Sequence, residues 1–347
     1  MPEPAPPLAE PLRRAADRTA GGALLEVRGL TVSFPGRRGP VTVLRDVGLT
    51  IDRGEILGLV GESGSGKTMT SQAIVGLTRR LRATVQGSIA FDGTELTSLD
   101  DAALQAVRGR RIGMVFQQPT RSLDPAFTVG SQIAETVAWH LGLGQRAAWD
   151  RAVELLDKVR IPDPARRARD HPHQLSGGMC QRVMIAMALA CDPELLIADE
   201  PTTALDVTVQ ARIIELIAGL RDELGIAVLY ITHDLGVAAR LADRLTTMYA
   251  GEIVESAPRA EFFARPVHPY SEGLIRSAGG IGDGGRFHAI PGRVPAPEAM
   301  PAGCRFRERC AYAQDRCQEP APLREVRPQV WTRCHRSEDL RLRGANP

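Results

Sequence analysis

The chain has 347 residues, 43 Lys+Arg against 41 Asp+Glu, a net charge of +2 and 43% hydrophobic residues. That size and composition suit one large or two modest globular domains with ample core, and the balanced charge makes no case for a nucleic-acid partner. No run approaches the ~18 apolar residues of a membrane span, and residues 1–22, rich in Pro, Ala and charge, lack the apolar core of a secretory signal and read as a disordered extension.

Leu24–Phe34 and Val41–Ile51 alternate apolar and polar residues around a Pro/Gly turn, which predicts an antiparallel pair. Glu55–Val60 is a short apolar strand running into Gly61-Glu62-Ser63-Gly64-Ser65-Gly66-Lys67-Thr68, and Lys67–Leu77 follows with a helical pattern. Strand, Gly-rich loop and helix in that order form a phosphate-binding loop, whose backbone N–H groups curl around an anion. Lysine sharpens the reading. Only Lys67 and Lys158 are lysines among the 43 basic residues, so an ammonium is kept where a compact point charge suits phosphates better than a planar guanidinium.

Gly87–Phe91 reads as a strand, Leu96–Val107 as a helix, and Ile112–Phe116 as a strand ending at Gln117. Val129–Ile161 has helical spacing, broken near Gly142 and Gly144, so a helical insert of about 95–175 interrupts an α/β frame. Leu175-Ser176-Gly177-Gly178-Met179-Cys180-Gln181-Arg182 opens a helix through 178–190, with Ser176 as its N-cap and glycines that let backbone approach an anion. Leu195–Ala198 is an apolar strand ending in Asp199-Glu200, two carboxylates that need water, a partner or a metal. Helices at Val207–Leu224 and Leu235–Leu241 alternate with strands at Ala227–Ile231 and Leu245–Tyr249, and His233 lies just past the first of these strands. The alternation argues for a parallel sheet covered by helices, with a boundary near residue 260.

Singly, each of these could be structural: a capped helix, a solvated strand end, a loop histidine. Together, in this order, they resemble the ATP-binding-cassette (ABC) ATPase family over roughly Leu24 to Ser256. The resemblance implies an α/β fold: a P-loop ABC ATPase core with an antiparallel β subdomain and a helical subdomain over 23–260, plus a small cysteine-bearing extension over 261–347. It also implies ATP and Mg²⁺ as ligands. Gly61, Ser63, Gly64, Ser65, Gly66 and Lys67 match the phosphate cradle, and Thr68 and Asp199 match the Mg²⁺ ligands. Gln117 matches the lid-loop glutamine that senses Mg²⁺ and the attacking water, Glu200 the catalytic base and His233 the switch histidine. Ser176, Gly177, Gly178 and Gln181 fall in the signature segment, Asp206 in the loop coupling two sites, and Phe34 where an aromatic ring stacks on adenine. Cys180 departs from the arginine usual at its position.

The segments Gly61–Ser71, Met184–Ala190, Asp206–Gln210, His268-Pro269-Tyr270 and Ile290–Pro295 are similar to the peptide-importer branch, which serves dipeptides, oligopeptides, nickel and glutathione. In that branch the chain would act on the cytoplasmic face of the membrane, as a head-to-tail dimer with a second ATPase subunit, the same or different. It would dock on two integral-membrane permease subunits, through Pro119–Thr128 and the helical insert, and serve an extracytoplasmic solute-binding protein indirectly. Nickel or another small solute is an alternative cargo, and a soluble ABC ATPase without a transport role ranks lower.

Four of six cysteines, Cys304, Cys310, Cys317 and Cys334, crowd the C-terminal segment with spacings x5, x6 and x16. Cys₄ sets hold Zn²⁺ or iron–sulfur clusters, and the missing C-x₂-C spacing argues against a zinc ribbon. The branch resemblance implies a 4Fe-4S cluster; Phe306 and Arg309 fit its pattern between the first two cysteines.

Overall fold

The computed structural model describes residues 22–37, 39–117, 122–203, 205–278 and 288–345, so the expected N-terminal extension lies almost wholly outside the described residues. Strands β1 (Leu25–Phe34), β2 (Val41–Ile51) and β3 (Ile56–Val60) lead into helix α1 (Lys67–Ile74). β4 (Thr84–Phe91), β5 (Thr94–Glu95), α2 (Asp101–Val107) and β6 (Ile112–Val115) follow. Next come α3 (Val129–Leu141), α4 (Gln145–Lys158), α5 (Pro164–Arg167), α6 (Gly177–Ala188), β7 (Leu195–Asp199) and α7 (Val207–Leu224). β8 (Ala227–Thr232), α8 (Leu235–Leu241), β9 (Arg244–Tyr249), β10 (Glu252–Pro258), α9 (Arg259–Ala264), α10 (Pro269–Ser277), β11 (Arg324–Arg327) and β12 (Val330–Thr332) close the series.

Two compact units are interleaved along the chain. The first comprises 22–24, Ile51–Glu55 and Phe91–Leu229; the second comprises Leu25–Thr50, Ile56–Ala90 and Tyr230–Pro347. Residues on both sides of position 260 belong to the second unit.

In the first unit β6 and β7 pair in parallel, and β7 is buried along its whole length. An apolar run without alternation is what a strand covered on both faces requires. Val129, Ile133 and Val137 of α3 and Ala148, Ala152, Leu155 and Leu156 of α4 supply buried faces. Gly142 ends α3 in the left-handed region at φ 68°, a conformation that costs glycine nothing. Asp100 caps α2 by accepting from Ala103 N at 2.8 Å, so the helix starts at Asp101 rather than Leu96. Arg111, nearly buried, bridges Asp92 at 2.9 Å and Glu194 at 2.5 Å.

In the second unit strands run in the order β11-β12-β10-β9-β3, with β3 parallel to β9 and the others antiparallel. Strands β10, β11 and β12 are absent from the sequence reading. Glu252 and Glu255 give β10 a polar look, yet both are buried. Glu252 pairs with Arg45 and Arg305, and Glu255 accepts backbone N–H groups, so distant partners make these carboxylates tolerable inside. Around Tyr249, Tyr270 and Phe306 a core forms from Val60, Leu245, Val254, Phe262, Ile275 and Val330, with Cys304 and Cys310 packed against it.

Candidate nucleotide-binding site

The phosphate loop begins where buried β3 ends. A Cβ on Gly61 would collide with the carbonyl oxygen of Met248, so only glycine lets the loop leave the strand beside β9. Gly66, at φ 108°, sits at the N-cap of α1 with no side chain capping the helix, and no acidic residue occupies the first turn. A helix start with neither a side-chain cap nor an acidic first turn has a positive dipole end suited to an anion. Lys67, only 4% exposed, donates from Nζ to Gly61 O at 2.8 Å and Glu62 O at 3.0 Å. Ser65 is buried and its carbonyl accepts from Gly251 N at 2.7 Å, while Ser63, Gly64 and Thr68 are exposed.

Phe34 ends β1 half-buried and lines a cavity of about 420 Å³ with Ser33, Pro35, Gly36, Gly39, Pro40, Arg82 and Thr84. It is part of the second unit, as is His233, which is exposed just past β8. Asp234 beside it caps α8, accepting from Gly236 N at 2.8 Å and Val237 N at 3.2 Å, which fixes the backbone that carries the histidine.

The first unit holds the remaining residues. Asp199, 2% exposed, is the last residue of β7. Glu200 follows in the left-handed region at φ 46°, where a non-glycine residue costs about 1–2 kcal/mol. Its Oε2 accepts from Gln117 Nε2 at 2.9 Å and from Thr203 Oγ1 at 2.9 Å. The strained turn and two donors aim one carboxylate oxygen, an arrangement suited to a base that handles a water. Thr203 was missed from sequence because it lies inside a turn with no periodic signal.

Ser176 caps α6, its Oγ accepting from Met179 N at 3.3 Å, and Ser176 and Gly177 are exposed. A Cβ on Gly178 would come within 2.6 Å of Val209 Cγ1, so this glycine lets α6 start against α7. Asp206 caps α7, accepting from Val209 N at 2.9 Å. Gln181 is 1% exposed, with Nε2 unpaired among the described residues. Cys180 is buried against the carbonyl of Pro172 at 3.4 Å, a packing role.

The ABC transporter family matches residues 44–203, and the oligopeptide/dipeptide transporter C-terminal region matches 254–317. The chain is 48% identical over 312 residues to a Brucella melitensis protein provisionally named a peptide import ATP-binding protein, covering 90% of this chain and 94% of that one. The chain belongs to the ABC transporter family of ATP-binding subunits, and is an ATP hydrolase of that family. A Brucella ovis protein of the same provisional name is 45% identical, with 91% and 98% covered. Among solved structures, the dimeric, post-hydrolysis ATP-binding cassette MJ0796 bound to ADP and Pi superposes with a TM-score of 0.61 at 31% identity, over 68% of this chain and 98% of that one. CbiO1 of Clostridium perfringens, part of the ABC transporter complex cbiONQ, gives 0.59 at 27% identity, over 70% and 91%. The fold is therefore the ABC cassette, and no described helix is long and apolar enough to cross a membrane.

The matched oligopeptide/dipeptide transporter C-terminal region holds Cys304, Cys310 and Cys317, and Cys334 lies beyond it. All six cysteines are free thiols. Cys304, Cys310, Cys317 and Cys334 line one cavity of about 20 Å³, with His268 and His335 on its wall. Burial pushes the Cys304 thiol up to about 12 and Cys310 up to about 11. No three described Cys, His, Asp or Glu groups converge as ligands of a single ion. The four thiols share a cavity without converging on one point, so the described residues give the expected 4Fe-4S cluster no support.

Proposed function

We propose that this chain is the ATP-hydrolysing subunit of a peptide importer, docked peripherally on the cytoplasmic face of the membrane. The observation that carries the reading is the aimed Glu200 carboxylate at the end of buried β7, in a chain whose phosphate loop keeps a buried lysine. Lys67 would exchange its two carbonyl partners for phosphate oxygens, and the uncapped start of α1 would take the anion. Glu200 would polarise the water that attacks the γ-phosphorus as the bond to ADP breaks, with Gln117 holding the carboxylate and His233 facing the phosphate released. Thr68 offers a hydroxyl and Asp199 a carboxylate, the hard oxygen donors that Mg²⁺ prefers; the ion, when bound, offsets phosphate charge.

Two cassettes would pack head to tail, with Ser176–Gly178 of one completing the ATP site of the other, so that closure depends on ATP. Phe127, within the segment we assign to the permease subunits, and Phe116, just before it, are exposed. The peptide-importer relatives and the matching C-terminal region favour peptides over nickel as cargo. Uptake by vesicles carrying this subunit with its permeases tests this: ATP-dependent entry of a labelled dipeptide or oligopeptide is expected. Uptake of Ni²⁺ alone would change the cargo, and absence of ATP hydrolysis would overturn the whole reading.

For the cysteines we propose an iron–sulfur cluster. A single ion needs its ligands at ~2.3 Å from one point, whereas a four-iron cluster takes each thiolate on a different iron. Four soft donors without a carboxylate among the lining residues are the donor type such a cluster takes, although a cavity of about 20 Å³ has room for about one water and the thiols would have to move apart to admit it. Iron and acid-labile sulfide are expected after anaerobic purification; a colourless, iron-free protein would refute the cluster.

A further inference from the structure

Two residues far apart in the chain, Tyr270 and Arg309, contact Glu62 of the phosphate loop, and the Ile290–Pro295 segment reaches it through Arg309. Glu62 N–H donates to the hydroxyl of Tyr270, in His268-Pro269-Tyr270, at 2.8 Å. The Glu62 carboxylate takes both arms of the Arg309 guanidinium, at 2.6 Å from Nη1 and 2.9 Å from Nη2. Arg309 Nε in turn donates to Pro291 O at 2.7 Å, in the Ile290–Pro295 segment. The guanidinium lies 5.6 Å from the Tyr249 ring centre and 5.9 Å from that of Phe306, and Tyr249, Tyr270 and Phe306 pack edge-on or tilted within 5.2 Å of one another.

We propose that Arg309 is a positioning residue for nucleotide: it holds Glu62, and with Tyr270 sets the path of the phosphate loop from the cysteine-bearing segment. The inference rests on the ATP-binding reading and extends it. An acidic side chain in a loop built for a polyphosphate repels its ligand unless its charge is turned aside and neutralised. A bidentate guanidinium does both, and a planar fork backed by aromatic rings holds one orientation. Arg309 is covalently next to Cys310, whose thiol lines the four-cysteine cavity. The arrangement of the cysteine segment is thereby carried to the loop that meets the phosphates.

MgATP affinity of the full-length chain, measured by equilibrium binding at low and high salt, tests the assignment. Arg309→Gln leaves the carboxylate unpaired, so affinity should fall about tenfold, with the defect shrinking as salt screens it. Adding Glu62→Gln to Arg309→Gln should recover most of the loss, and Arg309→Lys should fall between. A double variant as weak as the single one would show simple structural damage and overturn the proposal. Tyr270→Phe removes one hydroxyl and leaves the ring in place; it covers the case in which Arg309→Gln does not fold, and about a threefold loss is expected. Wild-type affinity in both Arg309→Gln and Tyr270→Phe would also overturn it. If the unaltered chain does not bind MgATP, the ATP reading itself fails; if it binds and the variants match it, only this inference fails.

Discussion

The side-chain amide of Gln117 donates to Glu200 Oε2 across 2.9 Å, and Glu200 holds a left-handed backbone to receive it. Gln117 follows β6 and Glu200 follows β7, parallel neighbours in register from Ile112↔Leu195 to Val115↔Ala198. Parallel pairing brings both strand ends out together, so the two loops deliver their side chains to the same place.

Glu200→Gln should lower turnover by about 10²–10⁴-fold, the usual contribution of a positioned general base, while leaving MgATP affinity within a few-fold. Steady-state phosphate release and equilibrium nucleotide binding check the two halves separately. Near-normal turnover would remove Glu200 from the role.

Gly178→Ala should destabilise the first unit by about 1–3 kcal/mol, because the new methyl meets Val209 Cγ1 at 2.6 Å and a β-branched valine has little rotamer freedom to yield. Thermal melting is the measurement. Val209→Ala introduced alongside should restore most of the lost stability if the contact is the cause.

Gly251→Ala should be severe. Gly251 lies at φ 82°, and a Cβ there would drive into the carbonyl of Val43, a backbone atom that cannot turn away. The cost should reach about 3 kcal/mol or more. Gly251 N–H also holds Ser65 O, so nucleotide affinity should fall with stability even though the substitution is remote from the loop in sequence.

Glu255 predicts a pH dependence. The carboxyl is fully buried, and desolvation raises it from 4.5 to about 7 despite N–H donors from Val267 and His268. Between these values the folded chain holds a proton that the unfolded chain has lost. Stability from this group is therefore greatest at the acid end, falls as pH rises toward about 7, and levels off above it. The change is on the order of 3 kcal/mol for a shift of that size. Glu255→Gln should flatten this slope, seen by comparing denaturation midpoints of the two proteins from pH 5 to 8. An unchanged slope would show that Glu255 ionises normally in the fold.

Much of this protein is readable from its sequence because the relevant physics is local. An N-cap such as Ser176, Asp206 or Asp234 acts within three residues, Gly142 stops its helix by its own dihedral angles, and the unalternating run Leu195–Ala198 declares its two-sided burial. The ABC resemblance rests on the phosphate loop, Gln117, Leu175–Arg182, Asp199-Glu200, Asp206 and His233 occurring in that order. Burial of Gln181 in α6 is one thing the sequence does not show, since a polar residue in a motif carries no sign of which way it faces. β10 is another, since its two glutamates conceal a buried strand until Arg45, Arg305 and the N–H groups of 267 and 268 are seen around them.

The phosphate loop carries the same division. Its glycines and Lys67 follow from sequence alone, because a loop that wraps phosphate needs small residues and one compact cation wherever it occurs. That Glu62 is held by Arg309, 247 residues away, and by Tyr270, 208 away, was decided only by the tertiary structure. Charge pairing and a buried hydroxyl leave no periodic trace, and two residues so distant in the chain become partners only when the sheet and its aromatic core bring them together.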